Sequence, residues 1–384
     1  MAWWAIALLV IAACTPGEAM RVGRIAVTGD LASAQKMAAS KVTGYAYNPK
    51  ALERDLKRLA KIVEAFRDAV IGEWGADDAK EPTPREYVKY TQNYRSRALV
   101  DFDQGIVTVE TVVEDAPAES LKNAIVTTLL APYDPRAVDM YNAATVKLGE
   151  TPFLYEEVVD HEGKPIRWSW RAERFADHLM GAGLIQRTLQ VKGETRTVHA
   201  VKFPMVKDHL HVRANKYRPA VDDQSRRFKI SGNLIFAIIQ TESNFNPYAV
   251  SHAPAYGLMQ VVPSTAGKDV NQLLGRAGAP SPDTLLDAVT NIEYGTAYLY
   301  LLDSQYLARI GDPVSREYCT IAAYNAGAGT VFKTFSRDRN RAVEIINSTP
   351  PLAVYQKLRT TMPSAEGRRY LAKVISAKKQ FVNF

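Results

Sequence analysis

Near the start of the chain, apolar residues return at helical spacing. Leu52, Leu56, Leu59, Ile62, Val63, Phe66 and Val70 fall on one face, which predicts an amphipathic helix over Leu52–Trp74, ended by the polar stretch Asp77–Pro84. The period then shortens to two. Leu99, Val100 and Phe102 lead into a turn at Asp103, Gln104 and Gly105, and Ile106, Val107 and Val109 lead out of it, the pattern of a hairpin over 98–113. Further strands are expected at Arg167–Trp170, Thr195–Val206 and His209–Val212, with helices at Ser120–Leu130 and Arg171–Met180. Residues 21–213 therefore read as an α+β domain.

From Tyr217 onward strand patterns almost vanish. Helical runs take over at Tyr217–Phe228, Ser231–Thr241, Ile292–Leu307, Arg316–Ala326 and Glu366–Gln380, so residues 214–384 read as an all-α domain, with the break between Ala214 and Arg218. At 384 residues and 47% hydrophobic content, with no low-complexity tract and no internal repeat, the chain is long enough for two domains with sizeable cores.

The first residues follow neither pattern. Trp3–Ala13 is apolar but too short to span a bilayer comfortably, and it ends in Ile11, Ala12, Ala13 and Cys14. This resembles a bacterial lipoprotein signal, which makes residues 1–20 the signal and the start of the mature chain and makes Cys14 the lipidated residue. Thr15 after Cys14, in place of Asp, implies sorting to the outer membrane, facing the periplasm. No cationic residue lies between Met1 and Trp3. A start codon placed too late, or an ordinary signal peptide cleaved near Ala19, are the alternatives.

Charge and sulfur narrow the partners. A formal net charge of +7 and a pI near 9.1 suit an anionic partner. Lys and Arg are scattered, however, and no basic block is interleaved with aromatics, so a cell-wall polymer or membrane surface fits better than nucleic acid. Cys319, in the apolar run Tyr318–Ala323, reads as core. His209 and His211 would share one face of a strand and read as solvated polar residues. No Cys/His metal spacing is present, and no metal or cofactor is expected.

Glu242 is the most informative residue. It closes the helix Leu234, Ile235, Phe236, Ala237, Ile238, Ile239, and Ile235, Ile238 and Ile239 lie seven, four and three positions before it, so its carboxyl continues a buried stripe. Desolvation raises a carboxyl pKa and keeps the group protonated near neutrality, as a general acid requires. Three clusters accompany it. Gly257, Leu258, Met259 and Gln260 combine a close-approach glycine with an amide. Ala323, Tyr324, Asn325, Ala326 and Gly327 end a helix on a phenol and an amide. Glu366, Arg369 and Tyr370 share one helical turn. Taken singly, each has an ordinary structural reading: a surface amide, core tyrosines, a solvated ion pair.

In this order the clusters resemble the lytic transglycosylases with a goose-type lysozyme fold, whose signature is Glu-Ser, then Gly-Leu-Met-Gln, then Ala-Tyr-Asn-Ala-Gly. Glu242 with Ser243, Gly257–Gln260 and Ala323–Gly327 match it, and Asn291, Ile292, Gly295 and Tyr298 agree with its wider spelling. The resemblance covers residues 217–380. In the first half, Asp55–Trp74, Tyr87–Tyr94 with its following hairpin, and Asn123–Asp134 are similar to the N-terminal domain of the membrane-bound murein-cleaving members. The resemblance implies an all-α lysozyme-like catalytic domain behind an α+β N-terminal domain. It implies an enzyme that acts on peptidoglycan glycan strands and leaves a 1,6-anhydro end with Glu242 as its one carboxyl. Ser243 would bond and orient Glu242, Tyr324 and Tyr370 would support the oxocarbenium-like transition state, and Met259, Gln260 and Asn325 would line sugar subsites. Ordinary glycosidases need a second carboxylate. None lies between Ser243 and Lys268, although Asp269, Asp283 or Glu293 could fold back. A hydrolytic lysozyme and a non-catalytic wall-binding lipoprotein are the competing readings.

Overall fold

The computed structural model describes residues 68–138, 143, 146, 148, 151–251 and 255–384. Cys14, the signal segment and the expected helical positions before residue 68 lie outside the described residues. The remainder of that helix is present at 68–78, burying Val70 and Trp74.

Five strands form one antiparallel sheet in the order β1-β2-β3-β5-β4: β1 (Glu86–Thr91), β2 (Ser96–Asp101), β3 (Ile106–Thr111), β4 (Ile185–Val191) and β5 (Glu194–Pro204). The expected hairpin is β2–β3. Asp101 accepts backbone N–H bonds from Asp103 and Gln104, both at 2.9 Å, and Gly105 takes φ +64°, which lets the chain reverse without a Cβ penalty. Helices α1 (Pro117–Leu129) and α2 (Ser169–Gly183) pack against each other and the sheet through Leu121, Ile125, Leu129, Ala172 and Phe175.

Two expected strands are helical. Trp168, extended, caps α2, and Trp170 lies in its first turn. Both indoles are exposed, at 58% and 55%, with Arg167 over Trp168 and Arg171 over Trp170. Their alternation marks cation-stacked surface tryptophans instead of a pleated apolar face. His209–Val212 forms the first turn of α3 (His209–Phe228), because four residues are too few for period two to compete with a 20-residue helix. β1 escaped period-two reading because it is buried on both faces, and β4 because it is a mostly exposed edge.

The second half is all helical. After α3 come α4 (Gly232–Ser243), α5 (Lys268–Leu273), α6 (Pro282–Leu286), α7 (Ala288–Leu301), α8 (Pro313–Ala326), α9 (Ala328–Phe335), α10 (Arg339–Asn347), α11 (Pro351–Thr361) and α12 (Ala365–Lys378). α5, α6, α9, α10 and α11 were not expected. They are short, and side-chain caps rather than long periodic runs define several starts, such as Ser281 accepting from Thr284 N–H and Asp338 from Arg341 N–H. α7 stops before the expected Leu307 and passes into a π-helical turn at Leu302–Tyr306. α4 is buried almost all round from Leu234 to Ile239, and α12 and α3 pack on it.

The halves meet in one continuous apolar core, and α3 runs unbroken through 214–218. Arg213, 2% exposed, is the bolt between them. It pairs with Glu157 at 2.7 Å and donates to the carbonyls of Phe102, at 3.2 Å, and Asn244, at 3.1 Å. Lys216 bonds the other Glu157 oxygen at 2.6 Å. No helix among the described residues is long and apolar enough to cross a membrane.

Candidate active site

α4 delivers Glu242 at its last turn, and the chain then reverses at once. Asn244 and Phe245 both take left-handed backbone, φ +49° and +61°. Such strain in non-glycine residues persists only where the surroundings fix it. Here Asn244 Nδ2 donates to Phe102 O at 2.6 Å and Asp103 Oδ1 at 2.9 Å, and Asn246 Nδ2 donates to Pro84 O at 3.0 Å. All three acceptors belong to the α+β half.

The Glu242 side chain is half-buried, and Tyr370 of α12 donates its hydroxyl to Oε1 at 2.6 Å. Burial pushes the carboxyl pKa up to about 7; the Tyr370 bond and the field of Arg85 pull it down, while the negative Glu366 pushes it up. Tyr324 of α8 donates to Met259 O at 2.8 Å. Burial and the charge of Glu242 hold both phenols well above their usual range, so both stay protonated donors.

Two expected roles are redrawn. The Ser243 hydroxyl does not reach Glu242; it donates to Leu258 O at 2.8 Å, with Ile239 O at 3.1 Å, because the side chain points off α4 into the core towards the Gly257–Gln260 turn. Met259 does not line a sugar subsite with its side chain. It is 0% exposed and its thioether fills the space that Gly295 leaves open, where a Cβ would lie 2.7 Å from Met259 Cβ. What Met259 contributes is backbone: its carbonyl accepts from Tyr324 and its N–H donates to Asn291 Oδ1 at 2.7 Å. Asn291 is the hub of that turn, donating as well to Tyr256 O and Leu285 O, both at 2.7 Å. Gly257 sits against it at φ +70°, where a Cβ would come within 2.6 Å of Asn291 Nδ2.

Gln260 and Asn325 are half-buried at the edge of this arrangement. Gln260 donates to Ala249 O and Gly257 O, and its Oε1 is buried without a hydrogen-bond partner among the described residues. Asn325 donates to Glu366 Oε1 at 3.4 Å. Glu366 is exposed beside Asn325, and among the described residues it is the carboxylate whose field reaches Glu242. None of the three carboxylates considered from sequence is among the groups that act on Glu242. Asp269 accepts from Tyr306, Glu293 pairs with Arg227 and Arg276, and Asp283 lies in the first turn of α6. Arg85 was missed. No local pattern could mark it, since it reaches the site from 155 positions away in sequence. Cys319 is a buried free thiol pushed up to about 12, a core residue as read. No group of three or more His, Cys, Asp or Glu suited to a metal occurs among the described residues.

Comparison with known proteins identifies the family. Residues 52–216 match the family described as membrane-bound lytic murein transglycosylase C, N-terminal domain, and residues 219–347 match the transglycosylase SLT domain. The membrane-bound lytic murein transglycosylase C of Sodalis glossinidius (strain morsitans) is 47% identical over 309 residues, covering 80% of this chain and 85% of that one. Its counterpart in Klebsiella pneumoniae subsp. pneumoniae is 45% identical over 339 residues, covering 88% and 93%. The crystal structure of the 70 kDa soluble lytic transglycosylase of Escherichia coli aligns at 28% identity and TM-score 0.34, over 44% of this chain and 24% of that one. Identity of this order over most of both chains, with the two domain matches meeting inside α3, places the chain in the membrane-bound lytic murein transglycosylase C family.

Proposed function

We propose that this chain is a peptidoglycan lytic transglycosylase. It cleaves the β-1,4 bond between N-acetylmuramic acid and N-acetylglucosamine without water, leaving a 1,6-anhydro-muramyl end. The observation that carries the reading is the Glu242 carboxyl: half-buried, near pKa 7, and held by a phenol instead of a cation. A carboxyl in that state gives and takes a proton near neutral pH. Glu242 protonates the glycosidic oxygen as the bond to C1 breaks. Its carboxylate then accepts the proton of the 6-hydroxyl as O6 bonds C1, which returns Glu242 to its starting form. The intramolecular attack draws on proximity.

Tyr370 donates to the carboxylate that exists between these two transfers. Tyr324 has committed its proton to Met259 O, so its contribution to the developing positive charge is its oxygen lone pairs. Ser243 acts by tying α4 to the Gly257–Gln260 turn, and Gln260 and Asn325 border the sugar subsites. Residues 214–384 form the catalytic domain and 21–213 the accessory one. Membrane attachment runs through a lipid on Cys14, at the outer membrane and facing the periplasm; loss of radiolabelled palmitate incorporation in Cys14→Ser tests this.

A specific observation favours a second, lysozyme-type reading: Glu366 supplies a second carboxylate whose charge reaches the first. Digestion of purified peptidoglycan separates the readings by product mass. Muropeptides lighter by one water support transglycosylation. Reducing ends would assign hydrolysis with Glu366 as second carboxylate, and no product would return the chain to a wall-binding role.

A further inference from the structure

We infer that Arg85 of the accessory domain is a positioning residue of the active site, clamping the end of α4 so that the α+β half sets the geometry and proton affinity of Glu242. The inference rests on Glu242 being the acid. Arg85 lies just before β1, and its Nη1 donates to the carbonyls of Gln240 and Thr241, both at 2.9 Å. These are two of the last carbonyls of α4 and immediately precede Glu242; Gln240 O also accepts the Asn244 N–H, at 3.1 Å, while Thr241 O is one of the helix-end carbonyls beyond the reach of an intrahelical donor. A cation at a helix C-terminus also complements the negative end of the helix dipole.

The guanidinium is itself fixed. Its Nε bonds both Asp103 oxygens, at 2.8 and 2.7 Å, and Nη2 lies 2.6 Å from Asp103 Oδ1. Asp103 also accepts from Asn244, the residue that turns the chain out of α4. Arg85, Asp103 and Asn244 thus close a loop of bonds around the end of α4, with Asn246 bonded to Pro84 O beside it. This exceeds what tethering two domains needs, since Arg213 and the shared core already join them.

Glu242 is faced by four groups from three elements: Tyr370 and Glu366 from α12, Tyr324 from α8, and Arg85 from the accessory domain. Of these, Arg85 is the only cation that lowers its proton affinity. Removing that charge leaves burial and Glu366 less opposed, so the protonated acid persists to higher pH.

The test is a pH profile of anhydro-muropeptide release by the full-length chain in detergent, for wild type, Arg85→Gln and Arg85→Lys. For Arg85→Gln, we expect kcat to fall about tenfold, the scale of one charge-assisted hydrogen bond, with KM within about twofold and the alkaline limb moved to higher pH. Arg85→Lys keeps the charge but loses the fork, and should restore the position of the limb with part of kcat. A lower melting temperature with kcat and limb both unmoved would overturn the inference and leave Arg85 as an interdomain tether. If Arg85→Gln does not fold, Arg85→Lys decides: reduced kcat at unchanged KM supports the clamp, and wild-type kcat rejects it. Loss of product in wild type as well would mean that the transglycosylase reading, not the clamp, has failed.

Discussion

Glu157 and Glu242 are both glutamates at the junction of the two halves, and they are treated in opposite ways. Glu157, 1% exposed, meets Arg213 at 2.7 Å and Lys216 at 2.6 Å. Glu242 bonds a neutral phenol, and the cation whose field reaches it, Arg85, is turned to backbone carbonyls and Asp103. A buried carboxylate bonded by two cations serves as a joint. One without a hydrogen-bonded cation has its proton affinity raised by burial and becomes an acid. The fold spends its ion pairs at the joint and withholds them from the site, and that contrast separates structure from chemistry more sharply than burial does.

The most severe way to break the contrast is Glu242→Gln. Turnover should fall by about a thousandfold, within the range for a general acid–base residue, with binding to glycan retained. Stability should move the other way. The folded pKa, about 7, lies above the ordinary 4.5, so the stability of the protonated carboxyl is complete below pH 4.5 and is lost as pH rises through 7. Glutamine never ionises, so the variant should melt with wild type at pH 4 and above it at pH 8. Equal melting at both would mean that Glu242 is not desolvated.

Glu157→Gln attacks the other member. It leaves the Arg213 guanidinium buried without its carboxylate, and breaking one partner of a buried pair costs about 3–5 kcal/mol. Denaturant unfolding should show this loss, while the molecules that remain folded keep the wild-type pH profile. A shifted alkaline limb would show that the joint and the acid are electrostatically coupled.

How much of this contrast is legible from sequence follows from distance along the chain. Glu242 stood out because its burial is written in neighbours three, four and seven positions away, and the Gly257 and Tyr324 clusters are equally local. The β2–β3 hairpin was readable because its turn carries Asp103, Gln104 and Gly105 between alternating strands. Arg85 and Glu157 were not, because a hydrogen bond across 155 positions or an ion pair across 56 leaves no trace in spacing. The short helices α9 to α11 were missed for a related reason: tertiary packing, not a long amphipathic period, holds them. Ser243 shows the opposite error. The resemblance implied a bond from Ser243 to Glu242, and successive positions on a helix do not face each other.

Tyr370→Phe sharpens the picture of the acid without removing it. The hydroxyl donates to Glu242 and lowers its pKa, so the variant should hold its proton to higher pH and move the alkaline limb upward. With the carboxylate less stabilised between its two proton transfers, kcat should fall about tenfold, the scale of a hydrogen bond to a charged group. A limb that stays in place would mean that the phenol does not bond Glu242 in the working enzyme.

Ser243→Ala is the mildest test and separates two accounts of one residue. If Ser243 oriented Glu242 directly, the variant would lose kcat and shift the pH limb much as Tyr370→Phe does. In the structure its hydroxyl serves Leu258 O, so alanine leaves a buried carbonyl short of a donor, at about 1–3 kcal/mol. The expected result is a lower melting temperature with the limb unmoved and kcat near wild type at temperatures where the chain is folded. Ser243 would then belong with Glu157, among the residues that hold the site together, although it sits next to the acid.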